Sequence, residues 1–319
     1  MIRAGVRARR AGALREALLY FSRALEFLEG SADASLRFSI LLSRESVLGL
    51  LGRKEAQKAD IDRLKSLVEG MGGSPEELKR LAREAALREA LYLESLGRKR
   101  EALERLEATL ASLTGDPGAE ARLRARIAML RLFLSDFEGG FRALEQALEQ
   151  ARQVGDGAVE AEILQLTGLG HYLRSNFDQA LEDMGRALAM RREEGEEHRA
   201  ASLESNLGLI HLDRGDLEAA EERFRASLKL FRRVGLRRGE AVNLLNLGLV
   251  YFEMGRYERA LDSIQESLAI RRELGDRRGE GADQGNLAAV WIAIGCPERA
   301  VPPLEEALRL ARELDNLQS

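Results

Sequence analysis

Apolar residues recur at helical spacing in paired blocks separated by a short polar break. Leu247, Tyr251 and Met254 are followed in this way by Tyr257, Leu261, Ile264 and Leu268. Such spacing puts one apolar stripe on each of two successive helices. The pair of stripes then returns: NLGLIHLDRGDLEAAEERF at 206 becomes NLGLVYFEMGRYERALDSI at 246 and NLAAVWIAIGCPERAVPPL at 286, a period of 40 residues. A fixed period of that length predicts one helical hairpin copied in tandem, each copy burying its apolar face against its neighbours.

The break between the two helices is the most regular point of each copy. It carries a small residue, with Ala or another small residue five positions later. The series runs Gly295, Gly255, Gly215, Ser175, Ser135, Gly97, Gly52 and Gly12, followed at the plus-five position by Ala300, Ala260, Ala220, Ala180, Gly140, Ala102 and Ala17. The exception is the second copy, where Gln57 stands in place of Ala. Eight hairpins are therefore predicted. Asp136, Asn176 and Asp216 follow the turn residue and are expected to cap the second helix through backbone N–H groups, and Pro297 suits a first helical position. Gly155, Gly195, Gly235 and Gly275 are placed to end second helices in the left-handed conformation.

Columns form down the stack. Leu148, Leu188, Leu228, Leu268 and Leu308 share one phase, preceded by Ala147, Ala187, Ser227, Ser267 and Ala307. The small column permits close approach of helices and the Leu column fills the seam. Pro302 and Pro303 each remove a backbone donor from the last second helix, which is expected to bend or to start late.

The hairpin resembles the tetratricopeptide repeat family through Leu247, Gly248, Tyr251, Gly255, Tyr257, Ala260 and Ser267, with Ile264 where that family places Phe. The resemblance is strongest over 120–313 and weaker over 1–113, where Glu45 occupies a normally small site. The long repeat with its NLG motif is similar to those of spindle-orientation adaptors, kinesin light chains and bacterial regulators. This resemblance implies an all-α, right-handed superhelical solenoid of about eight hairpins, read as a single array over 1–319 that binds proteins or peptides and performs no catalysis. It also implies that first helices line the inner surface.

Composition agrees. Hydrophobic residues make up 45% and charged residues 32%, with five prolines, as in a helical protein. The looser stretches Glu69–Ser74 and Thr114–Gly118 read as loops between repeats, and Ser74-Pro75-Glu76-Glu77 as a capping box restarting a helix. With 49 basic against 53 acidic residues, the net charge of −4 supplies no field to hold a phosphate backbone, so direct nucleic-acid binding is not expected. One cysteine excludes an internal disulfide framework, and no apolar run reaches membrane-spanning length or forms a signal peptide. A cytoplasmic location without membrane contact is expected. The first copy's opening helix has only the residues before Gly12, and no polar capping helix follows Leu314. That arrangement suits a regulatory or sensor arm of a larger bacterial ATPase or transcription regulator, or ends covered by a partner or by self-association.

The candidate site is a ladder. Asn206, Asn246 and Asn286 lie mid-way along successive first helices. A carboxamide offers both donor and acceptor, so a row of them can hold both backbone groups of an extended peptide. In the long-repeat adaptors, by resemblance, equivalent asparagines do so. The alternative is that each Asn bonds a neighbouring helix. Ser202, Leu209 and Asp213 in one copy and Val242, Leu249 and Glu253 in the next would form the groove wall, suiting apolar anchors and a basic residue. An acidic C-terminal tail does not fit, because the family's clamp of Lys, Arg and Asn is missing.

A second ladder, Arg152, Arg192, Arg232, Arg272 and Arg312, falls in the last turn of second helices, where cations complement the helix dipole and reach acids of the next copy. His171 and His211 share the phase of Tyr251 and Trp291 and read as packed side chains. His198 and Cys296 are too remote to complete a zinc site, Cys296 has no base opposite it, and no strand leads into a glycine-rich phosphate cradle. Neither a metal nor any other cofactor is expected.

Overall fold

A computed structural model describes residues 1–10, 13–28, 33–112 and 115–316. By contacts the chain divides into two compact units, Met1–Ala143 and Leu144–Ser319. Among the described residues there are sixteen helices and no strand. The first unit holds α1 (Ile2–Arg10), α2 (Leu14–Phe27), α3 (Ala34–Leu50), α4 (Lys54–Glu69), α5 (Pro75–Ser95), α6 (Lys99–Ala111) and α7 (Pro117–Phe133). Next comes α8 (Phe137–Gln153), within which the division falls. The second unit holds α9 (Gly157–Leu173), α10 (Phe177–Glu193), α11 (Glu197–Arg214), α12 (Leu217–Val234), α13 (Arg237–Glu253), α14 (Tyr257–Leu274), α15 (Arg277–Ala293) and α16 (Pro297–Asn316). Within each unit helices pack against their sequence neighbours, giving antiparallel hairpins in file. The fold is the all-α helical-repeat solenoid expected.

Turn chemistry explains the hairpins. Gly52, Gly97, Ser135, Ser175, Gly215, Gly255 and Gly295 all adopt positive φ, between 59° and 88°. The eighth turn position, Gly12, lies outside the described residues, as does Thr114 of the later loop. The residue after each turn donates its N–H five residues back, as Arg256 does to Tyr251 and Asp216 to His211, closing the carbonyls of the first helix. Second helices end the same way at Gly155, Gly195, Gly235 and Gly275.

Of the expected caps, Asp136 accepts from the Gly139 N–H at 3.0 Å and Ser74 from the Glu77 N–H at 3.2 Å. Asn176 and Asp216 make no side-chain cap. The Asp216 carboxylate turns instead to His211 and Arg214; nothing in the structure explains Asn176. The last second helix does not start late. Helix α16 starts at Pro297 and continues through Pro302 and Pro303. Residues Glu298 and Arg299, whose carbonyls lose their intrahelical donors, are exposed to water.

The seam columns hold through the middle of the second unit, while Leu148 and Ala307 are half-buried. Ala147, Ala187, Ser227 and Ser267 are fully buried, and Leu188, Leu228 and Leu268 nearly so. Leu308 is 52% exposed. Small residues inside first helices permit the close approach: a Cβ added to Gly248 would stand 2.5 Å from Ile264, and one added to Gly208 would stand 2.7 Å from Phe224. In the second unit α11 touches α13 and α13 touches α15 directly, which sets the first helices on one common side.

Candidate functional site

The ladder asparagines stand on that common side, on α11, α13 and α15. Asn206 and Asn286 are half-buried and Asn246 is 8% exposed. Asn286 donates to the Ala282 carbonyl of its own helix at 2.9 Å. Among the described residues, the carboxamides of Asn206 and Asn246 make no hydrogen bond, to a neighbouring helix or otherwise.

The proposed walls differ from one another. Val242 is 38% exposed, Leu209 is half-buried against the core of the second unit, and Leu249 is half-buried. Ser202 is exposed and its hydroxyl donates to the His198 carbonyl. Asp213 is not a free acid, since it accepts from the Tyr172 hydroxyl of α9. Burial, with the hydrogen bond to Asp213 second, pushes the Tyr172 hydroxyl up to about 12. Glu253 is exposed and has no partner among the described residues. Ile292, 54% exposed, shares the 40-residue register of Tyr172, Leu212 and Phe252 and extends the apolar wall onto α15. That repeat register was the signal that could have found it.

The arginine ladder is an internal fastening. Arg152 reaches Glu160 at 2.9 Å, Arg232 reaches Glu240 at 2.8 Å and Arg272 reaches Glu280 at 2.8 Å, each carboxylate lying in the first turn of the next helix. Where that turn carries Ala200 instead, Arg192 pairs with the buried Glu204 one turn further on. Two arginines, Arg232 and Arg237, draw the Glu240 carboxyl down against the opposing effect of burial. Arg312 is exposed and has no partner among the described residues.

The imidazoles pack as expected. His171 lies 3.8 Å from Asp183, and His211 lies 3.4 Å from Asp216. Among the described residues no group of three or more His, Cys, Asp or Glu could hold a metal ion, and no helix is long and apolar enough to cross a membrane. Carboxamides beside apolar walls can exchange hydrogen bonds with a ligand backbone and bury its side chains.

Residues 199–273 and 239–313 match the family described as tetratricopeptide repeat. No curated protein matches the chain. Among solved structures, that of BtubC (BKLC) from P. vanneervenii is similar at 23% identity and a TM-score of 0.58, over 76% of this chain and 93% of that one. A signal-transduction ATPase with a tetratricopeptide repeat sensor, from Pyrococcus horikoshii, is similar at 18% identity and a TM-score of 0.66, over 93% of this chain and 47% of that one. A Rap protein complexed with competence and sporulation factor is similar at 17% identity and a TM-score of 0.61, over 88% and 78% respectively.

Proposed function

This chain belongs to the tetratricopeptide repeat family, whose model matches it over residues 199–313, and on that footing we propose that it is a non-catalytic scaffold capturing a partner segment along α11, α13 and α15. The carboxamides of Asn206 and Asn246 carry the reading. Both have unspent donors and acceptors on that common side. Leu209, Val242, Leu249 and Ile292 supply apolar contact, and Glu253 supplies a free carboxylate for a basic residue of the ligand. Asp213 is already engaged by Tyr172 and serves the wall rather than the ligand. The location that goes with this role is the cytoplasm.

The test is panning of a phage-displayed random peptide library on the whole chain, followed by titration of the selected peptides. Selected peptides should be rich in apolar residues with a basic one among them. The triple variant Asn206→Ala, Asn246→Ala, Asn286→Ala should lose them while its helicity and melting stay near wild type. Undiminished binding by a folded triple variant would overturn the site.

A second reading is a sensor arm that restrains an attached ATPase or transcription module. It rests on the likeness, over 93% of this chain, to the ATPase whose repeats form a sensor. Capture of a segment in the groove serves that role too, as the signal sensed.

A further inference from the structure

Between α10, α11 and α12 lies a cavity of about 320 Å³. Ala200, Ala226 and Leu230 give it apolar walls, and Arg192, Lys229 and Arg233 bring cations to it. All of these residues stand in the second unit, and two of the three helices are second helices, so the cavity is separate from the groove of the asparagine ladder.

The next seam shows what this one lacks. There Arg232, in the register of Arg192, holds two carboxylates, Glu240 at 2.8 Å and Glu266. At the cavity Ala200 stands in register with Glu240 and Ala226 in register with Glu266. The two truncations remove bulk and negative charge together. Glu204 makes up one of the lost acids by reaching Arg192, but that buried carboxylate also serves Arg223 at 3.3 Å.

The remaining charges divide into spent and unspent. Arg233 pairs with Glu197 at 2.6 Å, a charge-reversed copy of Glu273 with Arg237 in the next seam. The buried Arg191 gives its guanidinium to Glu194, Glu196 and the Ala158 carbonyl. Lys229 is the addition. Ala189 and Ala269 hold its register in the flanking copies, and its ammonium has no partner among the described residues. The seam has therefore given up carboxylates, kept its ladder arginine and gained an unpaired ammonium beside an apolar hollow. Cations so placed suit a carboxylate attached to a compact apolar body. The volume falls at the lower end of the roughly 300–1,000 Å³ of small-molecule sites.

We propose that this cavity binds a small organic acid. Its carboxylate takes the position that Glu266 fills in the next seam, against Arg192 and Lys229, and its apolar body lies on Ala200, Ala226 and Leu230.

The probe is benzoate, titrated into the whole chain by calorimetry, with benzamide as the neutral control and sodium chloride at matched ionic strength. Benzoate should bind saturably and raise the thermal midpoint in step with its concentration, and neither control should do so. Lys229→Ala, which installs the residue of the flanking copies, should weaken benzoate about tenfold or more. Ala226→Glu supplies from within the carboxylate that the next seam already has. It should raise the midpoint of the ligand-free protein and abolish the response to benzoate. Absence of saturable binding, an equal response to benzamide or chloride, or undiminished binding by either folded variant would overturn the proposal. The asparagine triple variant should bind benzoate normally; loss of binding there would place the acid in the groove and overturn the proposal as well.

Discussion

Gln57 donates from its carboxamide to the Glu45 carboxylate at 2.8 Å, both side chains being buried between α3 and α4. In register, Glu45 stands where Gly248 stands and Gln57 where Ala260 stands, a pair in close contact in their own hairpin. The two departures from the repeat are thus the two halves of one contact, a steric fit replaced by a hydrogen bond. Arg88 of α5 lies 3.7 Å from the second Glu45 oxygen. Burial pushes the Glu45 carboxyl above its usual range, against the pull of Gln57 and Arg88.

Gln57→Ala should accordingly cost roughly 1–3 kcal/mol, because it strands a buried carboxyl without its donor. Glu45→Ala together with Gln57→Ala should cost less than the sum of the single changes, with a coupling of about 1 kcal/mol. Urea denaturation of the four proteins in the cycle measures this. Additive single effects would mean that the bond is incidental to the packing.

Ser135 and Ser175 hold φ of 65° and 59° at turns where the other described copies carry glycine. A side chain in that region costs on the order of 1–2 kcal/mol, part of which glycine returns as added freedom of the unfolded chain. Ser135→Gly and Ser175→Gly should each stabilise by about 0.5–1 kcal/mol, read as a raised denaturation midpoint at constant slope.

One substitution should change sign with position. A Cβ at Gly208 would meet the Phe224 ring at 2.7 Å, whereas one at Gly185 on α10 would meet nothing within 4 Å. Gly208→Ala should cost about 1–3 kcal/mol through overpacking. Gly185→Ala should gain about 0.5–1 kcal/mol through helix propensity. Adding Phe224→Leu should recover part of the Gly208→Ala loss if the ring is what obstructs.

What the sequence makes legible here is whatever the backbone demands of a residue type. The left-handed turn requires a small residue, so register alone finds Ser135 and Ser175 among glycines. Seam columns are legible for the same reason, since close approach excludes bulk at Ala187 and Ser227. Side-chain choices among several partners are not legible. Asp216 could have capped α12 and instead meets His211 and Arg214. Tyr172 finds Asp213 across the seam between two hairpins, a meeting set by how closely those hairpins approach. The three ladder asparagines look alike in sequence, yet Asn286 bonds its own helix while Asn206 and Asn246 do not, a difference of side-chain direction that no spacing records.

Asp283 gives the pH dependence. Its side chain is fully buried on α15, facing Ser267 and Arg271 of α14, with Asp276 nearby in the connecting turn. Burial is the largest influence and, with the Asp276 charge, lifts the carboxyl to about 6, against the pull of Ser267 and Arg271. A raised carboxyl means that the native state holds a proton already lost by the unfolded chain, so stability falls as pH rises between about 4 and about 6. A shift of that size corresponds to something on the order of 3 kcal/mol. Asp283→Asn keeps the shape and removes the titration, and Arg271 retains Asp276 at 2.9 Å. The variant should therefore be at least as stable as wild type at neutral pH and should lose part of the difference in urea midpoint between mildly acidic and neutral buffer. A variant less stable at neutral pH, with the wild-type pH difference intact, would show that the Arg271 ion pair outweighs the burial of the charge.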